Sequence, residues 1–281
     1  MKTVVTGGRG FIGSRVAEAL SAETYDATDG QDILDAKRLE RAFEGAGTVM
    51  HLAALTGVPQ SFAEPLAFAK NNFEGTVNVL EAARKSGVKT VVFASSASVY
   101  GDNPKNPKTE EMMPRPASPY AATKIAGEHL LGAYAGQYGM RCVSLRLFNV
   151  YGPGQNSRYS AAIPSFIRSA LRNEPVAVNG DGKQTRDFVF VEDAADAFAL
   201  AARKGSGAYN IGSGSAATVA GVAEKIIALA CSQSKVVFEP GRPGDVRESL
   251  ADISKARREL GYAPKTALAE GLKITMKGFL K

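Results

Sequence analysis

The chain has no tryptophan, two cysteines and two histidines among 281 residues, and it has no apolar run near the roughly 18 residues that span a bilayer. Two cysteines, Cys142 and Cys231, exclude a disulfide framework. With His51 and His129 they show no metal-ligand spacing, so no metal is expected. A reducing cytoplasm is the expected compartment and a membrane is not an expected partner. The opening MKTVVTGGRG enters strand and turn at once, without the charged, apolar and cleavage regions of a leader. Nor is there a block of one charge. Thirty-four Lys and Arg against 28 Asp and Glu leave +6, but the signs alternate, as in Lys37–Arg38–Leu39–Glu40–Arg41 and Arg257–Arg258–Glu259. With no basic stripe interleaved with aromatics, nucleic acid is not expected. The surplus positive charge suits a small substrate carrying phosphates. No internal repeat or low-complexity linker appears.

What is present is ordinary globular composition, 44% hydrophobic and 22% charged. Residues 2–6 form a β-branched run that ends in glycines, and Phe11–Ala22 has helical spacing. Thr24–Thr28 reads as a strand, Asp35–Glu44 as a helix and Thr48–His51 as a strand. Phe73, Val77, Leu80 and Ala83 give the next helix one apolar stripe. Strand Thr90–Ala94, helix Pro119–Tyr138 and strand Cys142–Leu147 follow. This alternation predicts an α/β fold: a doubly wound parallel sheet of Rossmann type over residues 1–150. From 151 to 281 the elements shorten, which predicts a smaller, interleaved C-terminal α/β lobe. Phe188–Val191 and Tyr209–Ile211 are expected to return as strands to the first sheet.

Thr6–Gly7–Gly8–Arg9–Gly10–Phe11–Ile12–Gly13 lies between a strand and a helix. Gly7 permits a tight turn, Gly10 lets the backbone approach a pyrophosphate, and Gly13 lets the helix close on the sheet. The free N–H groups of the helix N-terminus attract the phosphates. A plain tight turn is the alternative, but the strand–turn–helix context makes a dinucleotide the expectation here. Asp29, 16 residues past Gly13, is expected to take the adenosine ribose hydroxyls, favouring NAD over NADP. Asp26 is its rival, and Arg9 is the one residue that could instead greet a 2′-phosphate.

Tyr120 and Lys124 stand four apart on a helix and therefore share a face. A tyrosine ionises near pH 10, and an ammonium beside it favours phenolate. Ser96, at the end of strand 90–94, would bond the same substrate hydroxyl. Such a trio removes a proton from an alcohol while a bound nicotinamide takes the hydride.

TGGRGFIG, HLAALTG, NNFEGT, SSASVYG, YAATK, LRLFNVYGP, GDGKQTRDFVFVED and RPGDVRESLAD follow one another in order. In this the chain resembles the extended short-chain dehydrogenases/reductases along essentially its whole length. Within them it is most similar to the NAD-dependent sugar-nucleotide epimerases and dehydratases, closest to the UDP-glucose 4-epimerase type. The resemblance implies Tyr120 as catalytic base, Lys124 as its activator and ribose ligand, and Ser96 as the hydroxyl-binding partner. It implies backbone contacts to the pyrophosphate from Phe11 and Ile12, and adenine contacts from Asp32 and Ile33. Leu52, Ala53, Ala54 and Thr56 would pass under the cofactor, with Asn71 and Phe148 also touching it. Asn149, Arg186, Arg242 and Asp245 would hold the nucleotide diphosphate and ribose of a UDP-hexose. A homodimer through helices around 66–86 and 119–138 is implied as well.

The departures are informative. Family dehydratases carry an Asp–Glu pair where Ala97 and Ser98 stand, and elimination of water needs that acid and base. The decarboxylases keep a glutamate at position 98. Redox-neutral C4 epimerisation is the remaining expectation. Seven residues after Arg242, the position that meets the C2 substituent is the small Ser249, so N-acetyl sugars are expected to fit. A ketoreductase, a hexuronate epimerase or a non-catalytic dinucleotide-binding module are the alternatives. His51 is expected to be a structural hydrogen bonder, His129 a surface or interface residue, and Cys142 core.

Overall fold

The computed structural model describes residues 2–155, 161–241 and 246–280. The chain begins with β1 (Lys2–Thr6), α1 (Phe11–Leu20), β2 (Glu23–Tyr25), α2 (Ala36–Phe43) and β3 (Ala46–His51). Short helices α3 (Val58–Ala63) and α4 (Pro65–Phe68) precede a wide π-type turn over Ala69–Glu74 and α5 (Gly75–Lys85). Then come β4 (Thr90–Ser96), α6 (Pro119–Tyr138), β5 (Arg141–Leu147) and β6 (Asn149–Tyr151). The remainder is α7 (Ala162–Leu171), β7 (Val176–Asn179), β8 (Thr185–Phe190), α8 (Val191–Ala201), β9 (Gly207–Ile211), β10 (Ala216–Thr218), α9 (Val219–Leu229), β11 (Val236–Glu239), β12 (Glu248–Ser249) and α10 (Leu268–Lys277).

Six parallel strands form the main sheet in the order β2-β1-β3-β4-β5-β9. Its side chains alternate between two apolar layers, as a sheet covered on both faces requires. Val5, Met50, Val92 and Val143 pack under α1 and α8, whereas Val4, Val49, Val91 and Cys142 pack under α2, α5 and α6. The strand order reverses between β1 and β3, and the loops that follow them diverge there. In such sheets that crevice is where a dinucleotide binds.

Two expectations are corrected. The strand expected over Thr24–Thr28 stops at Tyr25, because the Asp26 carboxylate accepts from the Thr28 N–H and starts a 3₁₀ turn over Ala27–Asp29. Residues 188–191 do not return to the main sheet. Thr185–Phe190 pairs with β6, β10 and β12 in a separate sheet, and Val191 opens α8. Only Gly207–Ile211 joins the main sheet, beside β5. The apolar pattern marks a strand but does not say which sheet will cover it.

Residues 151–276 contribute a third apolar cluster, built around Tyr151, Phe166, Val178, Phe190, Val222 and Leu272. Among the described residues no helix is long and apolar enough to cross a membrane.

Candidate active site

The glycine turn is tight because three side chains are missing. Gly7 lies at φ +73°, and a Cβ there would stand 2.6 Å from the Ala53 nitrogen of the loop after β3. A Cβ on Gly13 would strike the Gly7 carbonyl oxygen. Gly10 donates its N–H to that same carbonyl at 3.0 Å and serves as N-cap of α1 with no side-chain cap. Phe11 and Ile12 therefore open a helix whose first N–H groups are left for an anion. A cradle so stripped of side chains fits a pyrophosphate.

Asp26 follows β2 directly, and its Oδ2 accepts the Arg9 N–H at 2.8 Å, inside the glycine turn. Asp29, at the end of the 3₁₀ turn, pairs instead with the Arg9 guanidinium at 2.9 Å. Both groups of that pair are exposed, so it adds little stability, but it sets Arg9 beside a carboxylate. Asp32 accepts the Tyr25 hydroxyl on its carbonyl and the Leu34 N–H on its side chain. Ile33 is buried in the layer beneath α5, where Gly75 leaves room for it.

The loop from Leu52 to Thr56 is fastened at both ends. Leu52 and Ala53 donate to the Thr6 carbonyl and hydroxyl. Asn72 accepts the Leu55 N–H at 2.8 Å and returns a bond to the Leu55 carbonyl at 2.9 Å. Asn72 also donates to Thr123 on α6 at 3.2 Å and takes the Asn71 amide at 2.9 Å. Sequence reasoning singled out Asn71, while its neighbour does this joining. Two adjacent asparagines were the available signal. Phe148 is buried between Tyr100 and the sheet.

The sequence marks both ends of α6. Ser118 caps it by accepting the Ala121 N–H, Pro119 starts it, and Gly139 ends it at φ +65°. Tyr120, Lys124 and Glu128 form one stripe facing the sheet. Gly127 lets that stripe close in, since a Cβ there would meet the Phe93 ring at 2.7 Å. Lys124 is buried, donates to the Ala94 carbonyl at 2.8 Å, and lies 4.9 Å and 5.7 Å from the centroids of Phe93 and Tyr120. Burial pushes its ammonium down to about 7. Ser96 shares a hydrogen bond with the Tyr120 hydroxyl, which favours phenolate, but desolvation is the larger effect and raises the phenol above its usual range. The lowering expected from Lys124 is thus not what sets Tyr120 in this arrangement.

His51 sits beneath this site, buried, with Nδ1 2.8 Å from Thr6 Oγ1 and Nε2 3.0 Å from Thr76 Oγ1. The Thr76 hydroxyl gives its proton to the Asn72 carbonyl, so it must accept from Nε2–H. The imidazole is therefore the neutral Nε2–H form, and burial followed by the Lys124 charge pushes it down to about 3.

In the second lobe a cavity of about 590 Å³ is lined by Asn149, Gln155, Arg168, Asn179, Gln184 and Arg186, among others. It brings together Asn149 and Arg186 of the expected substrate residues. Ser249 does not line this cavity, but it lies opposite Arg186 where β12 meets β8. Arg242 and Asp245 lie outside the described residues. Arg168 on α7 was not anticipated, because a lone arginine in a helix carries no spacing signal. Among the described residues no group of three or more His, Cys, Asp or Glu could hold a metal.

A model of the NAD dependent epimerase/dehydratase family matches residues 3–212. The chain belongs to this family. It is 36% identical to a UDP-glucose 4-epimerase of Mycolicibacterium smegmatis, over 99% of this chain and 98% of that one. The UDP-glucose 4-epimerase of Thermotoga maritima, solved with UDP-glucose, superposes with a TM-score of 0.95 at 36% identity, covering 100% and 99% of the two chains. A UDP-N-acetylglucosamine 4-epimerase from Methanobrevibacter ruminantium superposes at 0.94, also 36% identical, covering 99% and 98%. As an NAD-dependent epimerase-family enzyme the chain uses NAD, and the cradle above fits its pyrophosphate. The chain is thus an enzyme of the NAD-dependent UDP-sugar epimerase family.

Proposed function

We propose that this enzyme interconverts the C4 epimers of a UDP-hexose, UDP-glucose and UDP-galactose first among them, through a transient 4-keto sugar. The observation that carries the reading is the Ser96, Tyr120 and Lys124 cluster, with alanine and serine rather than acids at 97 and 98. Bound NAD supplies a reversible acceptor for the C4 hydride. Tyr120 takes the C4 hydroxyl proton as the C4–H bond breaks, and Ser96 holds the oxygen through the change to carbonyl. Lys124 offsets the phenolate charge in a site where burial otherwise opposes it. When the keto sugar presents its other face, the proton returns from Tyr120. With no acid at 97 or base at 98, the 4-keto sugar does not lose water.

Leu52, Ala53, Ala54, Thr56, Asn71 and Phe148 are assigned to the cofactor side together with the glycine turn. Asp26 competes with Asp29 for the ribose, and its hydrogen bond into the turn favours it. Asn149, Arg186, Arg242 and Asp245 are assigned to the nucleotide diphosphate and ribose, and Ser249 to the C2 substituent, where it leaves room for an N-acetyl group. Phe62, Leu66 and Phe73, all exposed on or beside α3 and α4, support packing against a second copy. Free Cys142 and Cys231 suit a reducing cytoplasm.

The test is incubation with UDP-glucose, UDP-N-acetylglucosamine and UDP-glucuronate, resolving C4 epimers by NMR and following NADH. Galacto products without net reduction support the reading. Epimerisation of UDP-glucuronate alone reassigns the substrate. Stoichiometric consumption of NADH makes the protein a ketoreductase, and binding without turnover makes it a dinucleotide-binding module.

A further inference from the structure

Asp187 is completely buried next to Arg186, and among the described residues its carboxylate accepts from four neutral donors. Oδ1 accepts the Ser213 N–H at 2.6 Å and the Ser213 hydroxyl at 2.7 Å. Oδ2 accepts the Gly214 N–H at 3.0 Å and the Ala251 N–H at 3.2 Å. The loop comes this close only because residue 212 is glycine, where a Cβ would stand 2.6 Å from Oδ2. The Asp187 carbonyl accepts the Asn149 amide at 3.2 Å. Desolvation still holds the carboxyl above its ordinary range, but an apolar residue here would leave four buried donors without an acceptor.

What the carboxylate does is join parts that are far apart in sequence. It fixes the course of β8 at this point, where the Asp187 main-chain carbonyl accepts the Asn149 amide and the neighbouring Arg186 lies opposite Ser249. Through Oδ2 it holds the segment that follows Ser249. The outer edge of that segment is secured separately: Lys108 N–H donates to Leu250 at 2.7 Å, Asp252 N–H to Lys108 at 2.9 Å, and Leu250 N–H to Asn106 at 3.1 Å. The segment therefore stays attached without Asp187, but loses the inward bond that sets its distance from Arg186.

We propose that Asp187 is the positioning residue of the nucleotide-sugar clamp, holding Asn149 and Arg186 in register with Ser249 and residues 250–252. This rests on the nucleotide-sugar reading above. It touches neither substrate nor cofactor, and acts by placing groups whose displacement by about 1 Å is costly.

The test is Asp187→Asn in the full chain, read by calorimetric titration with UDP, bound NAD content, thermal melting and kinetics on the sugar that the wild type converts. An amide turns N–H toward one pair of donors. The Kd for UDP and the KM should rise about tenfold or more, with kcat within about threefold and NAD content unchanged. Unchanged UDP affinity in a folded variant overturns the proposal, as does a parallel fall in kcat, NAD content and melting temperature with KM unmoved. If the variant does not fold, Ser213→Ala decides, since it removes one of the four bonds to the carboxylate, together with the exposed bonds between the same hydroxyl and Ser215. A UDP Kd raised about threefold with NAD content unchanged supports the proposal, and an unchanged Kd overturns it. A wild type that binds NAD but no UDP sinks the nucleotide-sugar reading itself.

Discussion

Glu128 and Arg146 form an ion pair enclosed by α6 and β5. Three hydrogen bonds of 2.7–3.2 Å join them, and their side chains are 8% and 6% exposed. The Glu128 carboxylate also accepts from Ser95, the residue before Ser96, at 2.5 Å. Arg146 extends the network to the Tyr100 hydroxyl at 2.9 Å, and Tyr100 to Asn210 at 2.6 Å. Removing one partner leaves a buried charge. Glu128→Ala should therefore lower unfolding free energy by about 3–5 kcal/mol in urea titration, and Glu128→Leu with Arg146→Met should recover most of it.

Tyr120→Phe should keep the fold and the bound NAD but lower kcat by at least about 100-fold, because the proposed mechanism makes the phenol oxygen the proton acceptor. The same variant retaining its turnover would remove Tyr120 from the reaction.

Gly13→Ala places a methyl against the Gly7 carbonyl oxygen, so either helix α1 or the turn must move. Expected is a loss of about 1–3 kcal/mol in stability and a clear loss of NAD retention, read by melting and by cofactor content after desalting.

His51 gives the pH dependence a definite sign. Its folded value is about 3 against an ordinary 6.5, so between those values the unfolded chain binds the proton and the folded one does not. Stability from this group is complete above pH 6.5 and falls as pH drops toward 3, at about 1.4 kcal/mol per unit. By pH 5 the loss is about 2 kcal/mol. His51→Gln should unfold more easily at pH 7 and show a shallower acid slope in urea midpoints between pH 7 and 5.

Ser249→Tyr should reduce turnover of UDP-N-acetylglucosamine by about tenfold or more while sparing UDP-glucose, since bulk at the C2 position discriminates by size. Equal loss on both sugars would place Ser249 elsewhere in the pocket.

The glycine turn, the β-α alternation and the limits of α6 were legible in the sequence because each has a local cause. A glycine is demanded where a Cβ has no room, and Ser118, Pro119 and Gly139 are read within one turn of the helix ends. The spacing of Tyr120 and Lys124 follows from helical period alone. Partnership was not legible. Asp187 and Ala251 are 64 residues apart, and Glu128 and Arg146 are 18 apart. Only the strand order brings them together. The same is true of residues 185–190, whose apolar pattern suits either sheet. It is also true of His51, whose tautomer follows from two threonines and a carbonyl on other elements. Local pattern determined which elements form and which side chains share a helix face. Burial and long-range hydrogen bonding, decided only when the sheets assemble, determined how those side chains are charged, paired and aimed.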